Sequence, residues 1–511
     1  MNLFARNTLA NFSNSFLTAL LGFLVIPLLV RGLGAESYGV VAIYGTIQAA
    51  VLVFDLGWTA LNGRQVALMR SNKITAPHFE EYFKSVQLIF YATVAFILLV
   101  GIWLSTDIAG YLSSDTFSIS ELSYYVIIMF VTASFRFLVA LYRSTLIAYE
   151  RQVEVAIANI VFTICRHVVP VLGIYVLEFG LDFFIWWHCA TGLVEYLFYV
   201  RAVRPSIGFS SSAFLLGADF APLKSVYKFS STIAITSGLW ILTTQADRIL
   251  IAASFTLKEF GQFVPIVTTA ALLQLVAHPI ATAMRPKLNI AYQHSRNKGD
   301  ELLLLTVKLI SSLTVPAATV LYFGSEFLVL FLFGATIGDD KIAELSSLLQ
   351  LFVIANMLVS ISATLYYYQV ARGHLRWHLI GAVAQPIILL PLLYFMVLQF
   401  GILGAGYAIL STNLILFFFF IPVFKSLSFS RTFDWVWLLA PLMSFIWAEV
   451  YFFNMFLEKM TVLDNLQIMK LLLLAVNAVL ASLLGFMLVS AGSHGYKSPI
   501  SVIRAEISRI K

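Results

Sequence analysis

What most constrains this chain is the alternation of apolar runs of about twenty residues with short loops that carry the charges, a spacing matched to the hydrocarbon thickness of a bilayer. Spans are expected near 9–30, 40–61, 85–104, 123–149, 154–176, 183–200, 229–252, 261–283, 303–323, 345–370, 378–399, 404–424, 435–457 and 467–490. That makes an all-α integral membrane protein of about fourteen crossings. Only 11% of the residues are charged and 60% are apolar, whereas roughly a quarter are charged in an ordinary globular protein. The apolar run after Arg6 is full-length and lacks a small-x-small cleavage site, so it is expected to stay as the first span.

The charges orient the spans. One set of loops holds Arg64, Arg70, Lys73 and Lys84, then Arg151, Arg201 and Arg204, then Arg285, Lys287, Arg296 and Lys298, and later Arg372, Arg376, Lys425 and Arg431. The alternate loops hold only Arg31, Lys258, Lys341 and Lys459, and the segment 105–122 has Asp107, Asp115 and Glu121 with no basic residue. The positive-inside rule then puts both termini in the cytoplasm. A net charge of +6 could fit nucleic acid, but the basic residues form no single patch and no nucleic-acid partner is expected. Cys165 and Cys189 lie in apolar runs without CxxC spacing and read as reduced core thiols.

An internal repeat divides the chain. Pro170-Val-Leu-Gly-Ile-Tyr-Val-Leu-Glu-Phe-Gly180 matches Pro391-Leu-Leu-Tyr-Phe-Met-Val-Leu-Gln-Phe-Gly401 at an offset of 221 positions. Nearly the same offset brings Tyr38-Gly39 onto Phe260-Gly261, Arg64 onto Arg285 and Leu141-Tyr142 onto Leu365-Tyr366. A repeat of six spans is even, which makes the two lobes parallel and pseudo-symmetric about the membrane normal. The expected division is an N-lobe at 1–204, a cytoplasmic linker at 205–228, a C-lobe at 229–425, two extra helices within 426–490 and a cytoplasmic tail at 491–511. Substrate is expected on the pseudo-axis, with the lobes rocking about it.

Ionisable residues at membrane depth carry the functional signal, because each costs a few kcal/mol unless it faces protein or water. Arg136 in span four and Arg166 with His167 in span five fall near mid-depth. Asp247 and Arg248 lie in the outer half of span seven, while Arg143 and Lys308 lie within about two turns of the cytoplasmic face, where long stems can snorkel. Arginine outnumbers acid at depth, and a guanidinium matches phosphate with two parallel hydrogen bonds, so an anionic ligand is favoured. For Arg136 and Arg166 a structural pair with a carboxylate or carbonyls is the competing reading. Asp55, His188 and Glu195 are candidate proton carriers, although lone polar residues also serve as glue between helices. His374 and His378 share a helix face without the glutamate of HExxH, so no metal is expected. No GK dipeptide occurs, which removes the phosphate-cradling loop of an ATPase, and no cofactor is expected.

The segment Arg31-Gly-Leu-Gly34-Ala-Glu-Ser-Tyr38-Gly39, then Asp55-Leu-Gly57 and Arg64, together with Asp247-Arg248 and Glu259-Phe-Gly261, resembles the polysaccharide transporters of the MOP superfamily, most closely the Wzx-type O-antigen flippases. The resemblance implies a two-lobed, non-enzymatic flippase of the bacterial cytoplasmic (inner) membrane, used in lipopolysaccharide or related polysaccharide biosynthesis. It implies a cationic cavity for an undecaprenyl-pyrophosphate-linked oligosaccharide, with other polysaccharide-assembly proteins as possible partners beside the membrane lipids. Arg136, Arg166, Arg248, Arg143, Lys308 and Arg64 are the candidate substrate ligands, and Asp247, Asp55 and Glu195 the candidate ion-coupling groups. Two rivals are a MATE-like cation or drug antiporter, for which buried acids rather than arginines would be expected, and a polysaccharide polymerase or ligase, for which a large external loop would be expected.

Overall fold

The computed structural model describes residues 3–112, 114, 116–207, 227–334, 337–372 and 376–419. The spans expected near 435–457 and 467–490, the tail, most of the 205–228 linker and His374 lie outside the described residues. All regular structure among the described residues is helical. Eight helices there are long and apolar enough to cross a membrane, which makes this a multi-pass helical membrane protein. The chain divides into two compact units, Met1–Val264 and Pro265–Lys511.

The first unit opens with α1 (Leu3–Leu33) and α2 (Ala35–Val51). Gly34, at φ 86°, makes the tight turn between them, a backbone angle that a side chain resists. Span two does not run straight through as expected. A 3-10 turn at Leu52–Asp55 ends it, Leu56 and Gly57 follow in the left-handed region, and α3 (Trp58–Arg70) starts afresh. Asp55 explains the restart: its carboxylate accepts from Thr59 N at 3.2 Å and Thr59 Oγ1 at 2.8 Å, satisfying donors at the helix start.

Next come α4 (Ala76–Leu112), α5 (Ile119–Ala148), α6 (Gln152–Val176) and α7 (Leu181–Ile207). Ser118 caps α5 by accepting from Glu121 N at 3.3 Å. The helix α5 is the hub of this unit, packing against α2, α3, α4, α6 and α7. Buried polar contacts reinforce the apolar packing: Asn62 on α3 donates to Ser144 Oγ at 3.1 Å and Thr145 Oγ1 at 2.8 Å on α5. In lipid, where helices gain little from apolar contact alone, such amide bridges hold neighbours together. Cys165 and Cys189 are free thiols, half-buried rather than fully within the core.

The unit closes with α8 (Tyr227–Ser254) and the start of α9 (Leu257–Ala271). Thr256 and Glu259 form a reciprocal cap on α9: Glu259 N donates to Thr256 Oγ1 at 3.3 Å, and Thr256 N to Glu259 Oε2 at 3.1 Å. The two sequence segments around Gly39 and Gly261 meet here. A Cβ on Gly261 would strike the carbonyl oxygen of Ala35, and one on Gly39 the carbonyl oxygen of Leu257, so the backbones cross at a distance that only glycine allows.

The second unit contains α10 (Leu273–His294), α11 (Arg296–Phe323), α12 (Ser325–Phe333), α13 (Asp339–Arg372), α14 (Arg376–Phe400) and α15 (Ile402–Phe419). Span eight is also broken: α9 ends at Ala271, and a tight turn at Leu272, whose amide donates to Thr269 O at 3.2 Å, leads into α10. The hub of this unit is α13, packing against α10, α11, α12, α14 and α15. It is the tenth expected span, as α5 is the fourth. The repeat shows in the element order as well. The α6–α7 turn contains Gly180 and the α14–α15 turn Gly401, and proline lies inside both preceding helices, at Pro170 and Pro391.

Candidate functional site

The mid-depth charges of the first unit gather where α2, α5, α6 and α7 meet. On α2, Tyr44 and Gln48 are four residues apart and share a face. Arg136 on the hub helix donates from Nη1 to Gln48 Oε1 at 3.3 Å, and Gln48 Nε2 donates to the Tyr44 hydroxyl at 3.3 Å. On α6, Arg166 donates from Nη1 to Glu195 Oε2 of α7 at 2.6 Å. The side chains of this pair are 5% and 3% exposed, so it is a buried ion pair. The other terminal nitrogen of Arg166 makes only a long contact, 3.5 Å, with Thr163 Oγ1.

The same junction holds His188, two turns from Glu195 on the same face of α7. Its Nδ1 lies 2.8 Å from Phe184 O; a carbonyl can only accept, so Nδ1 carries the hydrogen and the ring is held in one tautomer. The ring of His188 stands edge-on to Tyr44 at 5.6 Å between centroids. Arg136 and Arg166 are both within electrostatic reach of Tyr44, His167 and His188. The cluster therefore sets two guanidiniums against one carboxylate, and Arg136, which is half-buried, meets a neutral amide.

A second polar network lies alongside. The hydroxyl of Tyr91 on α4 is 2.9 Å from that of Tyr142 on α5 and 2.8 Å from that of Tyr196 on α7, and Gln87 Nε2 donates to Tyr142 at 3.1 Å. Tyr196 directly follows Glu195 in the chain. These tyrosines were not legible as a group because the chain has 22 of them. Gln48 could have been found: it is an amide at mid-depth of an expected span, one turn from a tyrosine.

The structure thus brings together Arg136, Arg166 and Glu195. It does not bring the other candidates into this group. Arg143 is half-buried two turns along α5, facing Tyr199 electrostatically. Arg64 is exposed on α3, and Asp55 is occupied as the cap described above. Asp247 is buried on α8 at 3% exposure, accepting from the Arg248 backbone amide at 2.8 Å, and Arg248 is within electrostatic reach of Tyr38 on α2. Lys308 is half-buried on α11 of the second unit. Among the described residues no three His, Cys, Asp or Glu side chains are grouped to hold a metal.

No protein-family model and no curated protein matches the sequence. Solved structures do match the fold. The lipid II flippase MurJ in an inward closed conformation aligns over 93% of this chain and 98% of its own, with a TM-score of 0.70 at 14% identity. An inward-facing multidrug resistance MATE family transporter of the MOP superfamily aligns over 83% of this chain and all of its own, with a TM-score of 0.67 at 14% identity. A MOP superfamily transporter from Pyrococcus furiosus, described as having a binding pocket of reverse polarity that suggests a different function, aligns over 83% and 96% with a TM-score of 0.52 at 15% identity. At these identities the likeness is one of fold.

Proposed function

With the fold of the MOP transporters as premise, we propose that this chain is a flippase for an undecaprenyl-pyrophosphate-linked oligosaccharide, an O-antigen or related polysaccharide repeat unit. It would work in the bacterial cytoplasmic membrane with both termini cytoplasmic, moving its substrate from the cytoplasmic to the periplasmic leaflet by alternating access. The moving lobes in this reading are 1–204 and 229–425, with 426–490 bordering the lipid tail. The observation that carries the proposal is the charge imbalance at the α2–α5–α6–α7 junction: two membrane-depth arginines share one carboxylate, and Arg136 faces only an amide and a phenol. A site with surplus guanidinium is built for an anion, and a pyrophosphate offers oxygens enough for both forks. That the MurJ structure is of a lipid flippase supports the same substrate class.

The MATE-like reading has one observation in its favour, the buried carboxylate of Asp247 on α8, together with the MATE likeness in fold. An antiporter of cations would lean on that carboxylate and be indifferent to Arg136. The deciding experiment uses sealed vesicles loaded with a lipid-linked oligosaccharide and follows exposure of the sugar to a lectin on the opposite face. Faster exposure with the protein present, lost in Arg136→Ala, is expected. Exposure no faster than in protein-free vesicles sinks the proposal.

A further inference from the structure

We infer that Glu195 is a built-in substitute for the substrate's phosphates: it holds Arg166 in the empty carrier, is displaced when a pyrophosphate binds, and takes up a proton as it lets go. The inference rests on the anion-carrier reading above and says how that site is loaded and reset.

The geometry of the pair is the first argument. Arg166 meets Glu195 through one nitrogen and one oxygen at 2.6 Å, while its second terminal nitrogen has only the 3.5 Å contact with Thr163. A guanidinium is strongest when it forks onto two oxygens, so this pairing leaves Arg166 able to gain from an anion with more oxygens. Arg136, with a neutral amide opposite it, has the same unused capacity. A pyrophosphate that engages both arginines must compete with one carboxylate for one of them.

The second argument is what becomes of Glu195 afterwards. It stays on α7 at 2% exposure, and the groups around it offer no replacement cation. Arg166 of α6, Tyr44 of α2 and Tyr199 on its own helix reach it directly, while Arg136 and Arg143 of α5, His167 of α6 and His188 of α7 reach those neighbours. Arg136 and Arg166 are then engaged with phosphate. Arg143 lies two turns further along α5, His188 already spends its Nδ1 hydrogen on Phe184 O, and phenols carry no positive charge. An ionised carboxylate left there would be a buried, uncompensated charge, and the least costly relief is protonation from the aqueous phase. The proton goes to a carboxylate oxygen of Glu195 on loading and returns to water when the substrate leaves and the Arg166 pair re-forms. Substrate binding and proton uptake then travel together, without any second ion site.

The test is calorimetric titration of undecaprenyl pyrophosphate into the full-length protein in nanodiscs, in buffers of different ionisation enthalpy, for the wild type and Glu195→Gln. The wild type is expected to take up about one proton more per ligand than the variant, and its affinity to rise by up to about tenfold per unit fall in pH relative to it. Any proton the pyrophosphate itself gains or loses is common to both proteins and cancels. Glu195→Gln is also expected to bind more tightly at neutral pH, because Arg166 no longer has an internal competitor. If the wild type binds and its proton uptake equals that of the variant, the exchange is wrong while the anion-carrier reading stands. A wild type that binds no undecaprenyl pyrophosphate sinks both. Should Glu195→Gln fail to insert, the neutral double variant Arg166→Gln/Glu195→Gln takes its place. It is expected to bind through Arg136 with no excess proton uptake, and wild-type uptake persisting in it overturns the inference.

Discussion

Arg136 and Arg166 carry the same charge but differ in what their removal leaves behind. Arg166→Ala strands the Glu195 carboxylate in a site 3% exposed, and breaking a buried pair from one side costs about 3–5 kcal/mol. Thermal unfolding of Arg166→Ala in detergent should therefore fall well below that of the wild type, and a variant as stable as the wild type would show the pair to be incidental. Arg136→Ala removes hydrogen bonds to neutral partners, an amide and a phenol, and strands no charge; about 0.5–1.5 kcal/mol per bond is typical. It should insert and unfold almost normally while losing flipping, and Arg136→Lys should recover only part of it, since an ammonium lacks the planar fork. Normal vesicle flipping by Arg136→Ala would remove that residue from the site. The sequence made both arginines visible through their depth alone. It left open whether Arg166 had a carboxylate partner, because Glu195 is 29 positions away and only the packing of α6 on α7 joins them.

Helix boundaries were legible in the same uneven way. Every expected span within the described residues has a helix at its place, because a run of apolar residues long enough for the bilayer has few other ways to satisfy its backbone. The breaks in spans two and eight were not legible, since Leu52, Val53 and Phe54 on one side and Leu272 on the other are as apolar as their neighbours. The one advance signal at the first break was Asp55-Leu-Gly57, whose glycine sits at φ 77°. Asp55 is a cap in this structure, and that gives a clear test of its proposed ion-coupling role. Asp55→Asn keeps a side-chain oxygen for Thr59, so stability and transport should both survive; Asp55→Ala should lose about 0.5–2 kcal/mol of stability. Transport abolished by Asp55→Asn in a protein of unchanged melting temperature would mean that the charge itself is used.

The energy source is a property of the full transport cycle. An anion leaving an inside-negative cell gains about 2.3 kcal/mol per charge per 100 mV if it crosses the whole field. Arginines that travel with the phosphates cancel much of that, which leaves the return of the empty, cationic carrier as the step the potential assists. Flipping measured in vesicles of known orientation should accelerate with an imposed inside-negative diffusion potential and should need no ATP. Rates indifferent to the potential would be the contrary result. The pseudo-repeat was the strongest long-range signal in the sequence, and α5 and α13, the fourth and tenth expected spans, are each the hub of their own unit.

The crossing at Gly39 and Gly261 has a mechanical meaning. These two glycines occupy equivalent places in the repeat, 222 positions apart, and they meet each other, backbone to backbone. Most helix contacts behave like meshed teeth, because side chains interlock and must change rotamer before anything slides. Here the teeth are few: carbonyl oxygens of Ala35 and Leu257 lie against the two glycines, with the Leu257 side chain beside Gly39. At this crossing a turn of α2 against the start of α9 would carry backbone along backbone with few rotamers to change.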